Sequence, residues 1–133
     1  MRAVRVAMLV TDIGFVVYWA VTALGVLPPE IAYSDYTDPR VVAWNWSFMP
    51  PDLLISATGL TGLWLMARGH ELWRPVLVIS LTVTATSGLF AISYWAVRGE
   101  FDPLWWGVNL FLIAYAVPAL VWLLRTPTPE TVR

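Results

Sequence analysis

The chain of 133 residues contains no cysteine. Disulfides, thiolate nucleophiles and thiolate metal ligands are therefore excluded. Lysine is absent too, and all eight basic residues are arginines. Charge is scarce throughout, with 13% charged residues, about half the share usual in soluble domains. A net charge of −1 provides no basic field for a nucleic acid. The single histidine, His70, stands beside Glu71 in "ARGHELW". That is too few partners for a metal site, so His70 is read as a solvated loop residue. No phosphate loop, nucleophile elbow or zinc signature occurs. No metal and no cofactor is expected.

What the chain has instead is hydrocarbon. It is 59% hydrophobic, with mean hydropathy +0.67 and nine tryptophans. A helix needs about 20 mostly apolar residues to cross a bilayer, and four segments meet that need: about 6–27, 41–67, 74–97 and 103–124. The first is too long for a signal peptide and lacks a small-residue cleavage site. The runs have no period of 2, which argues against a barrel. The expected fold is an all-α integral membrane four-helix bundle over residues 1–124. Residues 125–133, "RTPTPETVR", form an expected disordered cytoplasmic tail. Arg2, Arg5, Arg68, Arg74, Arg125 and Arg133 fall on one side of such a bundle. The loops of the other side hold Glu30, Asp35, Asp38, Glu100 and Asp102 against Arg40 and Arg98. The positive-inside rule then puts both termini in the cytoplasm of a multi-pass protein of the inner (plasma) membrane.

Two helix starts are legible. Asp38-Pro39 opens the second span and Asp102-Pro103 the fourth, each with an N-capping acid before a first-turn proline. Six residues beyond each proline stands an asparagine, Asn45 and Asn109, roughly 9 Å into its helix. The tetrapeptide "YWAV" also occurs twice, but at different depths. Tyr94-Trp95 falls near the outer end of the third span, where aromatic belts form. Tyr18-Trp19 lies about 14 Å below the outer end of the first. Trp73 and Trp122 flank the opposite interface as anchors.

Asp12 and Asp52 are the two acids inside the spans. Such residues are expensive in lipid and face the bundle interior or a wet cavity. Asp12 lies about 9 Å above the cytoplasmic start of its helix and Asp52 about 16 Å below the outer start of its own. Tyr18 and Trp19 fall near the level of Asp52. In "WNWSFMPPDLLIS", Pro50-Pro51 should kink the second span and leave Asp52 near a restarted helix end. There the helix dipole favours its anion and burial its neutral form. At 100° per residue, Asn45, Asp52, Ser56 and Gly59 share a stripe, as do Ser80, Thr84, Ser87, Ala91 and Tyr94, and Asp12, Phe15 and Trp19. The third-span stripe is read as packing. The remaining polar and aromatic groups outline a cavity in the outer half. Asp52, Tyr18 and Trp19 form its floor, and Asn45, Trp46, Tyr94, Trp105 and Asn109 its walls. Aromatic walls suit an apolar or cationic guest, and a few polar groups would orient it.

The combination "LVTDIGFVVYWAVTALG", "DPRVVAWNWSFMPPDLLISATGL" and a short fourth span resembles the small bacterial YvaD-like family. That resemblance implies a four-helix membrane protein and supplies no activity. The fourth span "NLFLIAYAVPALVWLL" also looks like the last helix of the EXPERA proteins, which include emopamil-binding sterol isomerases. That likeness implies that Asp52, Asn109 and Trp105 face a lipophilic ligand. The histidine and glutamate pair of those isomerases has no counterpart here. An acid in the first of four short helices, Asp12, is similar to the arrangement in small multidrug resistance transporters, whose acid is a glutamate.

Three functions compete at this point. In the first, the protein binds, isomerises or cyclises a lipophilic small molecule of isoprenoid or sterol type, with Asp52 as the catalytic acid. In the second, a homodimeric, proton-coupled exporter carries its proton on Asp12. In the third, the chain is an accessory membrane subunit whose partners are other helices and membrane lipids. The absence of cysteine makes the topology easy to test. Single His70→Cys and Glu100→Cys variants should react with a membrane-impermeant maleimide from opposite sides, Glu100→Cys alone being labelled on intact cells. Labelling of both from one side would contradict the orientation.

Overall fold

The two pairs of helix-opening residues act as their chemistry dictates. In the computed structural model, which describes residues 2–32 and 35–126, Asp38 Oδ1 accepts from Arg40 N at 2.8 Å and Asp102 Oδ1 from Trp105 N at 3.0 Å. Each proline follows in the first turn, where its missing N–H costs nothing. The described chain is all-α: α1 (Arg2–Ala23), α2 (Pro29–Ala32), α3 (Pro39–Trp46), α4 (Met49–Ala67), α5 (Trp73–Arg98) and α6 (Pro103–Arg125). Residues 127–133, most of the expected tail, lie outside the described residues.

Two of the tight connections rest on glycines in the left-handed region. Gly69 (φ 65°) lets His70 N donate back to Leu65 O at 3.0 Å. Gly99 (φ 69°) does the same for Glu100 N and Trp95 O, also at 3.0 Å. Both bonds satisfy helix-terminal carbonyls, and an αL residue is strained for any side chain but glycine's. α4–α5 and α5–α6 are thus antiparallel neighbours. At the end of α6 the Arg74 guanidinium donates to the carbonyls of Leu123 and Thr126. An arginine read from sequence as a topology signal is therefore also a helix cap.

The second expected span is not one kinked helix. α3 stops at Trp46, Ser47 and Phe48 make a right-handed turn, and α4 restarts at Met49. A helix interior cannot hold Pro50 and Pro51 without losing backbone bonds, but a first turn can. The chain takes the second course. α3 and α4 in series cover the segment expected to cross the membrane. Three described helices are individually long and apolar enough to do so: α1, α5 and α6.

Consecutive long helices pack closely, α1 on α4, α4 on α5 and α5 on α6, while α1 and α6 touch far less. Small residues explain the close pairs. A Cβ on Gly59 of α4 would stand 2.7 Å from Cγ of Asp12 on α1. One on Gly62 would meet the Leu77 side chain of α5, and one on Gly88 would lie 2.8 Å from Asn109 O of α6. Gly14 on α1, by contrast, has nothing within 4 Å of a Cβ. α1 and α6 meet at one end, where Met8 packs with Leu77, Leu81, Ala116, Ala119 and Leu123. Toward the other end they separate.

That second end is held by aromatic rings from α3, α5 and α6. Trp44 stacks on Tyr94 with ring centroids 3.9 Å apart and planes at 18°. Trp95, Trp105 and Val41 pack around the pair. Arg98 closes the cluster, donating to Tyr94 Oη (3.0 Å), Asp35 (2.6 Å) and Glu100 (2.8 Å).

The close contact of Gly59 with Asp12 yields a test. Gly59→Ala should lower stability by about 1–3 kcal/mol through overpacking, read as thermal unfolding in mild detergent. In an Asp12→Ala background, where the opposing carboxyl is gone, the same change should be neutral or stabilising. An equal loss in both backgrounds would show that the two residues do not meet.

Candidate functional site

Nine polar residues of the helices turn inward. Thr11, Asp12, Asn45, Asp52, Ser56, Ser80, Thr84, Ser87 and Asn109 are all buried. Among them Asp52, in the first turn of α4, has the fullest set of partners. Its Oδ2 accepts from Trp19 Nε1 of α1 at 3.0 Å, and its Oδ1 from Ser87 Oγ of α5 at 3.2 Å. One carboxyl thus joins three helices. Ser56, one turn further along α4, donates to Asp12 O (2.8 Å) and Asp52 O (3.0 Å). The two acids thereby share a hydroxyl on their backbones while their carboxyls stay apart.

Asp52 lies on the wall of a cavity of about 460 Å³, within the size range of small-molecule sites. It occupies the gap between α1 and α6, with α3 and the start of α4 behind it. Most of the wall is apolar or aromatic, including Phe15, Tyr18, Trp19, Phe48, Trp105 and Leu112. Asn45, Asp52, Ser87 and Asn109 supply polar atoms. Leu27 and Ile31, before and within α2, also line it.

Of the residues expected from sequence, Tyr18, Trp19, Asn45, Asp52, Trp105 and Asn109 line this one cavity. Trp46 and Tyr94 do not. Trp46 turns outward, 36% exposed, with its ring 5.5 Å from that of Trp19. Tyr94 is engaged by Trp44 and Arg98. Asp12 sits apart in the α1–α4 contact, 1% exposed, and no donor among the described residues reaches either carboxyl oxygen.

Sequence reasoning missed the role of Ser87. It stood in the third-span stripe read as packing, yet it is the second donor to Asp52. The signal available was its place on the stripe's polar face. Gly14, Leu104, Val108 and Phe111 were missed as wall residues because nothing in their local sequence sets them apart.

The sequence matches the model of a family described as a family of unknown function, DUF5360, over residues 4–129. It is similar to a Bacillus subtilis (strain 168) protein called "Uncharacterized protein YvaD", with 42% identity over 115 residues, 86% of each chain. No solved structure matches it.

Proposed function

The chain belongs to the DUF5360 family, and on that premise we propose that it is a multi-pass protein of the plasma membrane, both termini cytoplasmic, that binds a lipophilic small molecule between α1 and α6. The observation that carries this reading is the cavity of about 460 Å³ with Asp52 on its wall. A void of that size in a small bundle forfeits packing contacts along its whole lining. A bound apolar molecule restores them.

Membrane insertion is supported by the inverted distribution of side chains. Val10, Ile13 and Val17 on α1, Leu89 and Phe90 on α5, and Val108, Leu110 and Phe111 on α6 are all exposed, while the polar stripe is buried. In water such an apolar belt would drive aggregation. In lipid it is the favoured outer surface, and buried small and polar residues are the usual helix contacts. Arg2, Arg5, Arg68, Arg74 and Arg125 lie at one end of the bundle, which supports the cytoplasmic assignment of that end.

Asp52 is the group through which the site would do chemistry. Trp19 and Ser87 fix its orientation, and a carboxyl oxygen can accept a further bond from a guest. If the site turns over an isoprenoid-type molecule, Asp52 is the acid that protonates it, and the aromatic wall stabilises the developing positive charge. A second reading, a proton-coupled exporter, is favoured by the buried carboxyl of Asp12, which no donor among the described residues reaches.

Native mass spectrometry with lipid extraction on protein purified in mild detergent separates these readings. A retained lipophilic molecule, depleted in Asp52→Ala, is expected and would identify the substrate class. Any turnover of that molecule should be lost in Asp52→Asn. An empty, dimeric protein would contradict the binder and favour transport through Asp12.

A further inference from the structure

The cavity wall has a buried polar side and an exposed apolar side. Asn45, Asp52, Ser87 and Asn109 are buried, and Asp52 is already bonded to Trp19 and Ser87. Val10 is 63% exposed, Leu104 64%, Val108 49% and Phe111 47%, and Gly14 is exposed as well. These five line the cavity too, and all belong to α1 or α6. The cavity therefore opens sideways between those two helices, and its rim is apolar.

The opening is a slot that runs along the helices. Leu104, Val108 and Phe111 stand at i, i+4 and i+7, on one face of α6, and Val10 and Gly14 at i and i+4, on one face of α1. From Leu104 to Phe111 the slot extends roughly 10 Å along the helix axis. It starts in the first turn of α6, just past the Asp102 cap, and descends from there into the span. Val10, Val108 and Phe111 also belong to the exposed apolar belt on which membrane insertion rests.

We propose, resting on the cavity reading above, that the ligand is one hydrocarbon chain of a membrane lipid, which enters sideways between α1 and α6 and lies along α6 while its headgroup stays at the outer surface of the bilayer. Three features favour this occupant over a separate small molecule. A slot that begins at a helix end and runs inward has the direction of a lipid chain. Its apolar rim demands no polar group of the guest, and a lipid that leaves its headgroup in the interface avoids the cost of desolvating it. Bilayer lipid also surrounds the rim at far higher concentration than any dissolved lipophile, so mass action fills the slot even at weak affinity. Because nothing lies within 4 Å of a Cβ on Gly14, a large side chain there can block the slot without displacing a neighbour.

The test uses the full chain in phosphatidylcholine vesicles and two photoreactive probes. One is a phosphatidylcholine with a diazirine halfway along one acyl chain. The other is pentadecane carrying the same diazirine. Adducts are located by peptide mass spectrometry. Trp19 and Leu112 are buried and line the cavity, whereas Phe90 of α5 is exposed and lies outside its wall. The lipid probe should label all three. Gly14→Trp should lose the label at Trp19 and Leu112 and keep it at Phe90, which shows that the variant is still inserted. Ile13→Trp, at an exposed neighbour outside the cavity wall, should keep all three. Lipid label at Phe90 alone, with pentadecane label at Trp19 and Leu112, would overturn the lipid chain and leave the cavity reading standing. Undiminished label at Trp19 and Leu112 in Gly14→Trp would overturn entry between α1 and α6. Label by both probes at Phe90 alone would overturn the cavity reading and this one with it.

Discussion

A carboxyl group removed from water must find its hydrogen-bond donors within the protein, and Asp52 finds them on two different helices. Trp19 reaches it from α1 and Ser87 from α5, at 3.0 and 3.2 Å. Each such bond is worth about 0.5–1.5 kcal/mol net, while leaving a buried partner unsatisfied costs about 1–3 kcal/mol. The arrangement therefore fixes the register of α1, α4 and α5 at one level. Pro50 and Pro51 set that level, because they force α4 to begin just before Asp52. The cavity follows from the same constraint. α1 is drawn toward α4 and α5 by Trp19, and α6 is not drawn with it.

The interfaces divide according to what glycine does in each. Gly59, Gly62 and Gly88 bring α1 to α4, α4 to α5 and α5 to α6, and a Cβ at any of them would strike the neighbouring helix. Close backbone approach of this kind is the usual means of helix association in lipid, where apolar burial alone provides no drive. On the seam between α1 and α6 Gly14 meets nothing. The bundle is therefore tightly joined on three sides and parted on the fourth. That parting is confined to one half, since Met8, Ala116, Ala119 and Leu123 close the other.

The helices were largely legible in the sequence, because Asp-Pro caps and apolar runs act locally. The break at Ser47–Phe48 was legible only as a kink, since local sequence does not say whether a proline pair bends a helix or restarts it. The level of Asp52 beside Trp19 followed from counting rise per residue. What counting could not supply was rotation about the helix axes once packed. Trp46 lies beside Asn45 in the chain yet points outward, and Tyr94 is taken by a ring stack with Trp44 that no spacing rule announces. Ser87 and Gly14 were invisible for a different reason. Small residues on a helix face read alike whether they touch a neighbour, hold a carboxyl or border a void.

The central proposal is that α1 and α6 part over one half of their length around a ligand cavity with Asp52 on its wall. A crystal structure of the full chain grown from a lipidic mesophase, without added ligand, tests it most directly. The account predicts elongated non-protein density between α1 and α6, with Trp19 bonded to Asp52 on the cavity wall. Side chains of α1 and α6 interlocked along their whole length, with no cavity between them, would contradict it.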